Sequence, residues 1–142
     1  MTAITATQTT TTVHPGKIRN RVLWTLQIVL GLFFIIASGG PKLVMPQTLI
    51  DNNHTAASIS LGLLVFIGLA EVAGGIGLMV PRLTAAAASG LAIVTFLAAG
   101  YNAFLAQTPE LAPFPLVLSA IFVWIAYERR ASLTALGAMI KR

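Results

Sequence analysis

The sequence predicts an all-α integral membrane protein, a four-helix bundle with both termini cytoplasmic. Three observations carry that prediction. Of 142 residues, 56% are hydrophobic and only 9% are charged, with mean hydropathy +0.85, whereas soluble domains carry about 25% charged residues. Four apolar runs, near 22–40, 57–80, 83–105 and 112–127, approach or reach the length that crosses a hydrocarbon core of about 30 Å. Basic residues gather at the edges of these runs on one side of the membrane. With the N-terminus inside, the inner segments hold Lys17, Arg19, Arg21, Arg82, Arg129, Arg130, Lys141 and Arg142, and the outer loops hold Lys42 with Asp51 and Glu110. That asymmetry places the basic side in the cytoplasm of a plasma (inner) membrane protein.

The same composition excludes several classes. The net charge of +5 is explained by membrane-edge anchoring and gives no nucleic-acid footprint. With no cysteine, the chain has no disulfide, no thiolate and no Cys-ligated metal. His14 and His54 fall on opposite sides of the membrane in this topology and cannot share one. No phosphate loop, nucleophile elbow, haem motif or carboxylate pair is present. The reading therefore has no catalytic residue and no metal site, and leans against enzyme activity for the isolated chain.

Residues 1–16 (MTAITATQTTTTVHPG) are Thr-rich and end in a Pro-Gly turn signal. They read as a disordered cytoplasmic tail. Lys17, Arg19 and Arg21 then precede the first apolar run. A basic stretch before an apolar one also has the form of a secretory signal, with Ala37-Ser38-Gly39 as a poor cleavage site. The run exceeds the about 7–15 residues of a signal core, so an uncleaved first helix is expected. Ser38-Gly39-Gly40-Pro41-Lys42 should weaken or kink its end. Residues 43–57 read as a loop whose first half suits an interfacial helical turn.

The second span ends at Pro81-Arg82, a connection short enough to make spans two and three antiparallel neighbours. The third opens on Ala85 to Ala88 and runs to Leu105; a Pro-containing turn, Gln107 to Pro113, leads to the fourth. Trp24, Trp124 and Tyr127 suit an inner aromatic belt. Residues 129–142 form a basic cytoplasmic tail with a segment that suits a short surface helix.

The second span, LGLLVFIGLAEVAGGIGLMVPR, carries one acid, Glu71. A charge at that depth costs about 2.5–3.5 kcal/mol on insertion scales. Ile67, Gly68, Gly74 and Gly75 share its helical face, and small residues there let neighbouring helices approach. Glu71 should point into the bundle. Small or polar stripes also mark the other spans: Gln27, Gly31, Ser38 and Lys42; Ala88, Ala92, Thr95, Ala99 and Asn102; Ser119 and Ala126.

If the inner ends of the spans are level, a rise of 1.5 Å per residue puts Glu71 about 13–14 Å above Val80, and Lys42 about 30 Å above Val22. Lys42 then stands roughly 16 Å too high for a simple ion pair, unless tilt or a re-entrant turn lowers it. Gln27, Thr95 and Ser119 lie closer in level. Without a nearby cation, burial favours the neutral acid. Glu71 has two readings, a proton- or ligand-binding carboxyl and a structural acid fixing helix register. Lys42 either binds an anion or quinone-like carbonyl near the outer surface or snorkels to the interface. Tyr101 and Asn102 either line an outer pocket or cap a helix end.

Two stretches resemble the DoxX family, in its DoxX-like branch. LGLFFIIASGGPKLV has that family's apolar helix closing on a Gly-rich turn and Lys, and GLAEVAGGIGLMVPRLTAAAASGLAIV has its Glu, Gly cluster and Pro-Arg before an Ala-rich helix. The resemblance covers about residues 22–127, within a domain set at 17–128. It implies a four-helix inner-membrane bundle, some of whose relatives accompany thiosulfate:quinone oxidoreductase or membrane oxidoreductase complexes for redox and sulfur stress. Lys42, Glu71 and Arg82 match recurrent family positions. The chain departs in having no cysteine, and in Tyr101-Asn102 where many relatives place a His.

The expectation drawn from the residues and the resemblance is an accessory membrane subunit, with quinone as the compatible cofactor class. Its partners are the bilayer and oxidoreductase subunits, with homo-oligomers compatible. A proton-coupled small-molecule transporter using Glu71 is the alternative, and a purely structural scaffold is the third reading.

Overall fold

A computed structural model describes residues 16–52 and 59–140, all helix and turn. The Thr-rich tail lies outside the described residues apart from Gly16, as do His14, His54, Lys141 and Arg142. Among the described residues, four helices are long and apolar enough to cross a membrane: Lys17–Val44, Leu61–Met79, Thr84–Leu105 and Pro109–Glu128.

The first of these does not stop at its glycines. Helix α1 (Lys17–Leu32) passes into a π-helical stretch (Phe33–Gly39) and then into α2 (Gly40–Val44). Pro41 explains the change of winding. In an α-helix its ring would press on the carbonyl four residues back, and it has no N–H to give. The wider π turn relieves that contact, and the Gly40 N–H reaches back to the Ile35 carbonyl. The weakening expected at this end takes the form of π winding within a helix that runs on for 28 residues. A short helix α3 (Pro46–Asn52) follows it.

Helix α4 (Leu61–Met79) starts on a Ser60 cap, whose hydroxyl accepts from the Leu63 N–H. The tight turn to α5 (Thr84–Gly100) is stitched by Thr84, whose hydroxyl donates to the Val80 carbonyl at 3.0 Å. Helix α5 ends in a second π stretch (Tyr101–Leu105), a left-handed Gln107 (φ 54°) and a 3-10 turn (Pro109–Leu111). Helix α6 (Pro113–Glu128) returns, and α7 (Ala131–Ile140) packs under the start of α5. There the Ser132 hydroxyl accepts from the Ala85 N–H at 3.2 Å.

Apolar burial gains little when lipid is the alternative, so close packing holds such a bundle. Helix α4 meets the first span at two glycine pairs, one on α1 and one at the end of the π stretch. A Cβ on Gly31 would come 2.8 Å from the Gly75 carbonyl, and one on Gly75 would come 2.7 Å from the Gly31 carbonyl. A Cβ on Gly39 would come 2.7 Å from the Gly68 carbonyl. On the opposite side, Ala88, Ala92, Thr95 and Ala99 form the buried stripe of α5 against α6. Phe34 and Phe122 meet edge to face at 5.3 Å and tie the first span to the last.

Candidate functional site

The polar centre of the bundle lies where α2 passes α4. Lys42 Nζ lies 2.5 Å from Glu71 Oε2 and donates a second bond to Ser38 Oγ at 3.2 Å. Glu71 is 6% exposed and the Lys42 side chain 22%, so the pair is embedded but open at the lysine end. Gly68 makes room for the lysine stem, since a Cβ there would come 2.8 Å from that of Lys42.

This corrects the level arithmetic, and the reason is an offset between helices. The contacts Gly31–Gly75 and Gly39–Gly68 set α1 about 6–8 Å lower than level inner ends would have it. The rest is closed by side-chain direction. Helical side chains lean toward the N-terminus of their own helix. Helices α2 and α4 are antiparallel, so Lys42 leans toward the Lys17 end of the bundle, Glu71 leans away from it, and the two meet. The cation that the level arithmetic kept away from Glu71 is Lys42 itself. That lean, with Ser38 and Lys42 at i, i+4, was the available signal in the sequence.

The other candidates lie elsewhere. Gln27 is fully buried, and neither polar atom of its amide has a partner. Thr95 donates to the Leu91 carbonyl at 2.8 Å, and Ser119 donates across to the Ala92 carbonyl at 2.9 Å. The first bond stays within α5, the second fastens α6 to α5, and neither reaches Glu71. Tyr101 and Asn102 open the second π stretch and are half-buried, with the Asn102 carbonyl accepting from the Thr108 N–H at 3.0 Å. Gly74 faces Leu91 and Gly77 faces Ala87, so the glycine cluster serves α5 as well as α1. Among the described residues no three His, Cys, Asp or Glu side chains gather as a metal site.

The lysine after a Gly-rich turn and the glutamate beside a glycine cluster, which meet here, belong to the two stretches on which the family resemblance rests. Residues 25–125 match the model of the DoxX-like family, well over half of the chain. The chain belongs to the DoxX-like family. No curated protein and no solved structure matches it. In this DoxX-like bundle the matched region covers Leu61–Met79 and Thr84–Leu105 whole, most of Lys17–Val44 and Pro109–Glu128, and both members of the ion pair.

Sequence reasoning missed a second polar cluster, at the end of the bundle where α1 begins and α6 ends. Arg19 pairs with Glu128 at 3.4 Å, and the Arg129 guanidinium lies over the Trp24 ring, 5.7 Å from its centroid. The spacing of residues 19 to 24 and 128 to 129 shows nothing of this until the two helices are side by side.

Proposed function

We propose that this DoxX-like protein is a non-catalytic membrane subunit whose Lys42–Glu71 centre seats a quinone-type carbonyl ligand for a redox or sulfur-stress oxidoreductase complex. The observation that supports it is the partly open ammonium of Lys42. An ammonium has three N–H donors. Two go to Glu71 and Ser38, which leaves a third for an acceptor oxygen. The exposed apolar side chains of Ile36, Val44 and Met45 near that end suit a ligand that arrives through lipid. Electron transfer would belong to partner subunits. The basic asymmetry supports a plasma-membrane protein with both termini in the cytoplasm.

The transporter reading requires Glu71 to act as a lone carrier, and its engagement with Lys42 weighs against that. The test is thermal unfolding of the detergent-purified chain with a soluble quinone analogue, thiosulfate or a hydrophobic cation. A ligand that binds only the folded state raises its stability by mass action. A rise with quinone or thiosulfate, lost in both Lys42→Met and Glu71→Gln, is the expected result. A cation response lost in Glu71→Gln would favour transport. No response at all would leave a scaffold.

A further inference from the structure

Arg129 is the described cation whose surroundings are least complete. It follows directly on α6, at the end of the bundle that also carries Lys17, Arg19, Arg21, Arg82 and Arg130. The one acid beside it, Glu128, is engaged by Arg19. Arg129 Nε and Nη2 are buried and have no acceptor. Leaving charged N–H groups without an acceptor is costly. Burial also pushes the guanidinium below its ordinary value, with the Glu128 carboxylate opposing. The Trp24 ring meanwhile holds the guanidinium plane by a cation–π contact.

A planar fork with five fixed donors, few of them used, matches the geometry of a phosphate. We propose that Arg129, laid over Trp24, is a seat for a phosphate-type anion. In the membrane its source is an anionic phospholipid headgroup at the basic end of the bundle. Arg129 is half-buried rather than sealed, so an anion reaches it from the open edge, and a rotation over the indole face brings the unpartnered N–H groups to the phosphate oxygens. Basic clusters at the ends of membrane helices recruit such headgroups in general. This seat is separate from the Lys42–Glu71 centre and does not rest on the function proposed for it.

The test uses the full chain in neutral detergent, with Trp124→Phe so that emission reports Trp24. Phosphatidylglycerol, phosphatidylcholine and inorganic phosphate are titrated separately, the last against chloride at equal ionic strength. Expected is a Trp24 emission shift at about tenfold lower phosphatidylglycerol than phosphatidylcholine, together with a higher unfolding temperature. Arg129→Gln should remove that preference, Arg129→Lys should weaken it, and Arg130→Gln should keep it, because Arg130 is exposed and lies over Tyr127 instead. A response to inorganic phosphate alone would support the seat and assign it a soluble anion. Equal responses to both lipids with none to phosphate, or a preference that survives in Arg129→Gln, would overturn it. Should Arg129→Gln not fold, the Trp24 titration of the Arg129-intact protein and of Arg129→Lys still decides.

Discussion

Lys42 and Glu71, 29 positions apart, meet at 2.5 Å because antiparallel α2 and α4 lean their side chains toward each other. The contact joins the first span to the second at the level of the Gly39–Gly68 approach. An ion pair of this kind fixes one register of two helices more surely than it adds stability.

Removing one partner should therefore cost more than removing both. Lys42→Met or Glu71→Met alone should destabilise the bundle by about 3 kcal/mol, the low end for a buried pair, because the lysine is partly exposed. The Lys42→Met/Glu71→Met double variant should recover most of that loss. Reversible unfolding in mixed micelles measures the cycle, and strictly additive losses would show that the two residues do not act together.

The glycine pairs should tolerate no side chain. Gly31→Ala and Gly75→Ala each force a Cβ against a backbone carbonyl, and overpacking of that kind costs about 1–3 kcal/mol. Gly90→Ala meets nothing within 4 Å and removes a helix-interior glycine, so it should be neutral or stabilise by up to about 1 kcal/mol. The same unfolding measurement distinguishes the two classes.

Gln27 should be replaceable. Both polar atoms of its amide are buried without partners, and each such group costs about 1–3 kcal/mol. Gln27→Leu, of similar size, should raise the unfolding temperature. A fall would mean that the amide is satisfied by a bound water or ligand.

Pro41→Ala restores an N–H and removes the ring that widens the helix. The π stretch should relax toward α winding and turn Lys42 away from Glu71. A cysteine pair placed at residues 42 and 71, and joined by a short bifunctional thiol reagent that spans the length of the two native side chains, reports the distance: crosslinking should be efficient in the parent and reduced when Pro41→Ala is added. Equal crosslinking in both would mean that the proline does not set the register.

The sequence by itself determined the four apolar helices, the basic end and the candidacy of Glu71. These follow from local properties, namely hydropathy over a window, charge at helix edges and one acid among glycines. It also showed a weakened or kinked helix end at Ser38 to Lys42, but not that the helix would continue through Pro41 by π winding. Only the tertiary structure decided who pairs with whom. Lys42 reaches Glu71 because two glycine contacts slide α1 about 6–8 Å along α4. Thr95 and Ser119, closer in level to Glu71 than Lys42 by residue count, instead bond the carbonyls of α5. The relative height of helices is a sum over contacts between residues distant in sequence, and no periodicity within one helix encodes it.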